Sequence, residues 1–376
     1  MTQARSAYIG ARIYDGAALR DDHALLVLSD GTTRITAPQN LPSECPTHTL
    51  DGGTLLSGFV DLQVNGGGGV MFNDAPTVET LATIAAAHRG LGTVAILPTL
   101  ITDTPAQTAA AIKAVIDAID QHIPGIAGLH LEGPHLSVAR KGAHDGTLIR
   151  PMQDSDLRGL LDAADHIPNL MVTVAPENVT NTQIKTMADA GIIVSLGHSD
   201  CDYDTAMAGF DAGARCATHL FNAMSQAQAR APGLVGAALN HPMAACGLIA
   251  DGVHVHPAMI RAALAAKTGP SDIFLVTDAM ATAGSDITSF QLNGREILRK
   301  DGRLTLADGT LAGADVTMPQ AIRVLVDDVK EPLEKALARA TTIPAGMLRN
   351  PPSRDRVDDL LWLSQDMTQT RWITEL

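Results

Sequence analysis

Eight short apolar runs, each ending in a polar or glycine-rich turn, constrain the fold of this chain more than any other feature. Continuous apolar runs of this length are typical of strands that are buried on both faces, as in parallel sheets. Between the runs there is room for one helix each, so the pattern indicates a (β/α)8 barrel. The runs occupy residues 55–66, 93–100, 126–135, 170–177, 191–199, 216–224, 246–254 and 272–280.

Amphipathic segments between the runs are candidates for the helices of this barrel. They lie at 78–90, 107–122, 181–191, 256–267 and 317–329. The segment 286–312 interrupts the alternation with the turn pairs Asn293-Gly294 and Asp301-Gly302. We interpret it as a β-hairpin excursion after the eighth strand.

The two ends of the chain have a different pattern, in which apolar and polar residues alternate. This alternation is typical of antiparallel strands with one exposed face. We therefore predict an α/β chain: a TIM-like (β/α)8 barrel over residues 55–344, with a small β-sandwich domain formed by both termini, residues 1–54 and 345–376.

Composition excludes several classes of partner. The net charge of -14 argues against nucleic acid and against an anionic membrane surface as partners. No run of about 18 apolar residues is present that could span a bilayer, and the N-terminus lacks the pattern of a secretory signal. The four cysteines form no CxxC pair, which fits a reducing compartment, and we predict a cytoplasmic protein.

Four of the predicted strands end in residues that can carry chemistry: Glu132, His198, His219 and Asp278. The carboxyl ends of barrel strands converge on one face, where barrel enzymes have their active sites. A single histidine in an apolar run is more often a core residue, but three ligand types at neighbouring strand ends favour a metal site. Two imidazoles and one carboxylate suit zinc best, with iron, cobalt or manganese as alternatives, and leave one position open for water.

Asp278 has a specific task beside such an ion. A carboxylate there can accept a proton from the attacking water and deliver it to the leaving amine. An aspartate at a strand end is otherwise a common helix cap or turn former. Together these four residues predict a metal-dependent hydrolase.

Six motifs in the same order give the chain a specific resemblance that covers nearly its whole length. It resembles the N-acetylglucosamine-6-phosphate deacetylases of the amidohydrolase superfamily. The resemblance implies hydrolysis of the acetamide of N-acetyl-D-glucosamine 6-phosphate to D-glucosamine 6-phosphate and acetate, in amino-sugar catabolism or recycling. The motifs are HLEGPH, VSLGHSD, THLFNAM, ADGVH, LVTDAM and ATTIPAGM.

The resemblance also implies roles for individual residues. Glu132, His198 and His219 correspond to the metal ligands, Asp278 to the catalytic acid and base, and His144 to a histidine that polarises the substrate carbonyl. In the family, the arginine that corresponds to Arg230 reaches the site of the neighbouring subunit, so a homodimer is implied. The residues expected to contact the sugar phosphate are Gln63, Asn65, Ala143, Asn222, Ala223, Arg230, His254, Leu311, Ala312 and Gly313.

One substitution bears on the number of ions. Many amidohydrolases carry His-x-His at the end of the first strand, whereas this chain has Gln63-Val64-Asn65. Amides are weaker ligands than imidazoles, so we predict one divalent ion per subunit rather than two.

Three alternatives to this function differ in substrate or in class. The first keeps the chemistry but acts on the galactosamine epimer or on another cyclic amide. The second is an iron oxygenase with two histidines and one carboxylate, in which Asp278 would have no role. The third is a silent sugar-phosphate sensor, which would not need a set of water-activating residues.

Overall fold

Two small β-sheets contain the strands of the N-terminal part, and the C-terminal part adds two strands to one of them. In the computed structural model, which describes residues 3–376, the N-terminal part forms β1 (Ala4–Ile9), β2 (Arg12–Tyr14), β3 (Leu19–Arg20), β4 (Ala24–Leu28), β5 (Thr33–Thr36), β6 (Thr47–Thr49) and β7 (Thr54–Ser57). One sheet has the order β5-β4-β1-β6. Side chains from both sheets share one apolar core, which includes Tyr8, Ile13 and Leu25.

Each apolar run contains one strand of an eight-stranded parallel sheet, as predicted. After β8 (Phe59–Val64) come the short paired strands β9 (Gly66–Gly67) and β10 (Val70–Met71). The remaining seven strands of the parallel sheet are β11 (Thr93–Ile101), β12 (Leu129–Glu132), β13 (Leu170–Val174), β14 (Ile193–Leu196), β15 (Cys216–Ala217), β16 (Ala245–Leu248) and β17 (Ile273–Leu275). Neighbours in the sheet are consecutive in the chain, with β8 and β17 at its two ends.

The sheet closes into a barrel at the carboxyl ends of its first and last strands. Val64 and Ala279 form a parallel bridge, and the Asn65 N–H donates to the carbonyl of Ala279 at 2.8 Å. A second link is the buried carboxylate of Asp61, which accepts the hydroxyl and the N–H of Thr277. The closure therefore places the first and eighth strand ends side by side, and the predicted barrel is confirmed.

Helices cover the outside of the barrel, and they include all five predicted segments. Side chains at their starts commonly provide the caps: Thr77, Thr104 and Asp202 each accept a backbone N–H in the first turn. The helices are α1 (Val78–Gly90), α2 (Pro105–Asp120), α3 (Asp154–Ala164), α4 (Asn181–Asp189), α5 (Tyr203–Asp211), α6 (Gly233–Asn240), α7 (Pro257–Ala266), α8 (Met318–Arg323, continued by a π-helix over Val324–Val329), α9 (Leu333–Ala340) and α10 (Thr342–Ala345).

An antiparallel sheet follows the eighth barrel strand. It consists of β18 (Ser289–Leu292), β19 (Arg295–Lys300) and β20 (Arg303–Thr305). Asn293-Gly294 and Asp301-Gly302 form its two turns, with positive φ at all four residues. The inner face of this sheet packs on the loops at the carboxyl end of the barrel, through Leu292, Ile297 and Leu304.

The chain returns at its end to the terminal β-domain. Strands β21 (Leu360–Leu363) and β22 (Thr370–Trp372) complete the second small sheet, in the order β22-β21-β7-β2-β3. Trp372 also contacts the barrel, because its ring lies 4.0 Å from the Arg89 guanidinium and its N–H donates to the Arg89 carbonyl at 3.0 Å. No helix within residues 3–376 has the length and the apolar character needed to cross a membrane.

Replacing a buried side chain of the first barrel strand by alanine should lower the stability of the protein substantially. Phe59 is fully buried in β8, so Phe59→Ala should lower the free energy of unfolding by about 3–5 kcal/mol through lost burial and a residual cavity. Urea titration followed by circular dichroism measures this change. Leu298→Ala, at a position that is 47% exposed, is the control and should shift stability by no more than about 0.5 kcal/mol. Equal effects of the two substitutions would contradict the packing described.

Candidate active site

Three side chains that could hold a metal ion meet at the carboxyl end of the barrel. Glu132 is the last residue of β12, and His198 and His219 each lie two residues beyond their strands, with φ of +46° and +29°. Oε1 of Glu132 lies 3.3 Å from Nε2 of His198 and 3.1 Å from Nε2 of His219. The two Nε2 atoms are 3.1 Å apart. All three side chains are buried.

Hydrogen bonds and charge orient this group. The Nδ1–H of His198 donates to the Arg140 carbonyl at 2.8 Å, which directs the Nε2 lone pair towards the other two residues. Burial alone would raise the pKa of Glu132, but its close contacts with the imidazoles of His198 and His219 hold that pKa well below its usual value. Among residues 3–376, Nδ1 of His219 finds no hydrogen-bond partner. Because its pKa is lowered, the Glu132 carboxylate is ionised and available as a ligand.

Asp278 lies beside this group and is held by two amides. Nδ2 of Asn65 donates to its Oδ1 at 2.7 Å, and Nε2 of Gln63 donates to the same oxygen at 3.3 Å. Gln63 also donates to Oε1 of Glu132 at 3.1 Å. Burial and the negative charge of Glu132 raise the pKa of Asp278 to about 6. Its carboxyl group can therefore exchange a proton near neutral pH.

His144 is another titratable residue that the sequence predicts here. Its Nε2 lies 3.8 Å from Oε2 of Glu132, and its ring packs edge-on against His198 with centroids 4.4 Å apart. Burial is the main reason that the pKa of His144 falls to about 3. The ring is therefore neutral at physiological pH.

These residues face a cavity of about 390 Å³. The predicted contact residues that line it are Asn65, Ala143, Asn222, Ala223, His254, Leu311 and Gly313. Gln63 and Ala312 are buried and do not line this cavity, although Gln63 contacts both carboxylates. Arg230 is exposed on a loop and lies outside the cavity wall of its own chain. The structure thus places every predicted site residue except Ala312 and Arg230 either in the cavity wall or in contact with its carboxylates.

Other residues of the site escape prediction from the sequence. Thr102 contacts the ring of His144, and Arg140 lines the cavity while its guanidinium pairs with Asp200 at 2.7 Å. Glu177 accepts the Ser199 hydroxyl and the Asp200 N–H, which fixes the loop after His198. Arg140 lies only four residues before His144, so its place in the same loop is the one sequence feature that could have indicated it.

Comparison with known proteins identifies the family. Residues 54–350, which comprise the whole barrel and the inserted sheet, match the amidohydrolase family. The chain belongs to the amidohydrolase family.

Individual amidohydrolases are similar over nearly the whole chain, and the predicted resemblance is confirmed. The N-acetylgalactosamine-6-phosphate deacetylase of Shewanella sp. (strain ANA-3) is 41% identical, over 95% of this chain and 91% of the relative. The N-acetylglucosamine-6-phosphate deacetylase of Haemophilus influenzae is 36% identical, over 90% of this chain and 88% of the relative. The crystal structure of the N-acetylglucosamine-6-phosphate deacetylase from Pasteurella multocida has a TM-score of 0.90 at 35% identity and covers 98% of both chains.

The three ligand atoms of this amidohydrolase fit a small divalent ion. A tetrahedral ion with bonds of about 2.0–2.1 Å has ligand atoms about 3.3–3.4 Å from one another. The distances among Oε1 of Glu132, Nε2 of His198 and Nε2 of His219 are 3.1, 3.1 and 3.3 Å. Both the donor types and their spacing therefore suit one metal ion.

Proposed function

We propose that this amidohydrolase removes the acetyl group of N-acetyl-D-glucosamine 6-phosphate and yields D-glucosamine 6-phosphate and acetate. The observation that carries the proposal is the placement of Asp278, a proton-exchanging carboxylate, beside a three-ligand metal site in one cavity. The names of the relatives add the substrate class, a 6-phosphorylated N-acetyl amino sugar. Release of acetate, assayed over N-acetyl sugars with and without 6-phosphate, tests it.

The galactosamine epimer is the second candidate substrate. It is favoured by the 41% identity to a relative that is named for N-acetylgalactosamine 6-phosphate. Both epimers place the same acetamide and the same phosphate in the cavity, so the chemistry below applies to either. The ratio of kcat/KM for the two substrates decides between them.

Glu132, His198 and His219 would hold the metal ion in this function. Zinc suits two imidazoles and one carboxylate best, and iron, cobalt or manganese also fit that set. When bound, the divalent cation supplies Lewis-acid chemistry, because it polarises a carbonyl oxygen and makes water acidic enough to attack at neutral pH.

The side-chain amides of Gln63 and Asn65 favour a site for one metal ion over a site for two. In a site for two ions, a second cation would take lone pairs of Glu132 and Asp278. Here the N–H groups of Gln63 and Asn65 already donate to these carboxylates. A cation placed there would meet N–H donors instead of the imidazole lone pairs of a His-x-His pair.

Asp278 moves the proton. Its Oδ1 accepts two amide N–H groups, which leaves Oδ2 as the oxygen that takes the proton of the attacking water. As the water oxygen bonds to the acetamide carbon, His144 donates a hydrogen bond to the carbonyl oxygen, where negative charge develops. Oδ2 then passes its proton to the nitrogen while the C–N bond breaks, which releases acetate and the amine.

The phosphate needs local cations, because the chain as a whole carries a charge of -14. His254 lines the cavity, and its Nδ1 lies 2.6 Å from the Asp251 carboxylate, which fixes the ring. The exposed position of Arg230, outside the cavity of its own chain, supports its donation to the site of a second subunit. We therefore propose a homodimer in which Arg230 acts in trans. The four free cysteines support a reducing compartment, and we propose a cytoplasmic location.

The first prediction concerns the ion. We expect about one divalent metal ion per chain, bound by the three ligands described. Replacing both amides, Gln63→His with Asn65→His, should raise the content towards two, since imidazole lone pairs replace N–H donors. Elemental analysis of purified protein measures both values. Two ions in the unmodified chain would show that the amides do not exclude the second one.

The second prediction concerns Asp278. Asp278→Asn should fold and bind metal but lose activity by roughly 10²- to 10⁴-fold, because an amide cannot accept the water proton. Acetate release and metal content are measured together. Asp366→Asn, on the exposed surface of the terminal domain, removes the same charge as a control and should keep full activity. If Asp278→Asn retains near-normal turnover, another group is the base.

The third prediction concerns Arg230. Arg230→Ala should remove a charge-assisted contact of about 1.5–3 kcal/mol, roughly a tenfold to hundredfold loss in kcat/KM for the phosphorylated sugar. The unphosphorylated sugar, which has no anion to bind, should be turned over almost as before.

Mixed dimers test the trans arrangement. Subunits carrying Arg230→Ala are combined with subunits carrying Asp278→Asn. If Arg230 acts across the interface, one of the two sites in each mixed dimer has both groups intact, and up to half of the normal activity returns. No recovery is expected if the arginine serves its own subunit.

A further inference from the structure

Thr102, the first residue after β11, contacts the ring of His144 in two ways. Its backbone N–H points at Nδ1 over 3.3 Å, and its hydroxyl oxygen lies 2.8 Å from the same nitrogen. The two residues are 42 positions apart in the chain, and both are buried. The contact therefore belongs to the assembled site and not to a local turn.

The contact decides which nitrogen of the ring carries hydrogen. A backbone N–H can only donate, so the Nδ1 atom that it faces must accept. The hydroxyl of Thr102 can donate to the same lone pair. Its other acceptor, the Glu132 carbonyl, is farther away at 3.4 Å. A ring with one hydrogen therefore carries it on Nε2.

The Nε2–H of His144 is then free for a ligand. The carboxylate nearest to it, that of Glu132, lies 3.8 Å away, which is too far for a hydrogen bond. His144 lines the cavity beside the three metal-ligating residues. With the opposite tautomer, the ring would present a lone pair to the carbonyl oxygen and would repel it.

The local backbone is built around this hydroxyl. Gly133 follows the metal-ligating Glu132 with a φ of +93°, and a Cβ at that position would collide with Oγ1 of Thr102. Only glycine allows the chain to pass so close to the hydroxyl. Thr102 thus lies between the strand that carries Glu132 and the loop that carries His144.

We propose that Thr102 is a positioning residue that holds His144 in its Nε2–H tautomer, so that the ring donates a hydrogen bond to the substrate carbonyl. The proposal rests on the proposed function for the identity of that acceptor. The tautomer itself is a property of the protein without substrate.

Nitrogen NMR of the zinc-loaded full-length protein tests the tautomer directly. The protein is labelled with ¹⁵N-histidine, and the His144→Gln variant identifies the signals of this ring. We expect Nδ1 to show the pyridine type of signal and Nε2 the pyrrole type. The reverse assignment would overturn the proposal, whatever the activity of the protein.

Two substitutions distinguish the effect of the Thr102 hydroxyl from the effect of side-chain packing. Thr102→Val keeps the shape of the side chain and the backbone N–H but removes the hydroxyl. The pyridine-type Nδ1 signal of His144 should then shift, because this nitrogen loses its shorter donor at 2.8 Å and keeps only the backbone N–H at 3.3 Å. We expect kcat to fall about two- to tenfold with little change in KM, as for one hydrogen bond used in the transition state. Thr102→Ser restores a hydroxyl and should restore both readouts. An unchanged Nδ1 signal together with an unchanged kcat in Thr102→Val would contradict the proposal.

A control isolates the effect of losing a buried hydroxyl. Thr341 is also buried, and its hydroxyl donates to the Leu337 carbonyl at 2.7 Å, in the helical region of α9 and α10. Thr341→Val should lower thermal stability without changing kcat or the His144 signals. If the unmodified protein releases no acetate but shows the Nε2–H tautomer, the proposed function fails and the assignment of Thr102 stands.

Discussion

The carboxylate of Glu132 is the group on which the arrangement of the site depends. A negative charge buried at the end of a barrel strand is costly unless donors or cations surround it. Here His198, His219 and Gln63 approach its Oε1 within 3.3 Å, and each comes from a different strand end. The loops of the barrel must therefore deliver these side chains to one point. In two of these loops the residue that is delivered, His198 or His219, has a positive φ.

Barrel closure places Asp278 beside that charge. The bridge between Val64 and Ala279 joins the first strand end to the eighth, one residue after Asp278. Gln63 can then donate to the carboxylates of both Glu132 and Asp278. Burial close to a second negative charge raises the pKa of Asp278, so the contact that closes the barrel also adjusts the proton affinity of its carboxyl group. Stability and chemistry thus share the same backbone contacts.

Much of the fold could be predicted from the sequence, because burial on both faces leaves a continuous apolar run. All eight barrel strands lie in such runs, and the structure brings the polar residues at four of their ends to one cavity. The supporting contacts could not be predicted in this way. His198 is oriented by the carbonyl of Arg140, and every residue type has a carbonyl. Thr102 and Asp61 act through partners far away in the chain, and no local pattern marks such pairs.

A layer of buried polar side chains lies inside the barrel below the site. It carries no positive charge that would compete for the negative charge of Glu132. His130, two residues before Glu132, contacts the hydroxyl of Thr173 at 2.7 Å. From there hydroxyl contacts continue through Thr218 to Ser195, at 2.7 and 2.6 Å. Burial lowers the pKa of His130 to about 4, so this ring is neutral at physiological pH. A cationic ring at that depth would compete with a metal ion for the charge of Glu132. The neutral polar layer satisfies its own hydrogen bonds and leaves that charge to the residues above it, which could hold a metal ion.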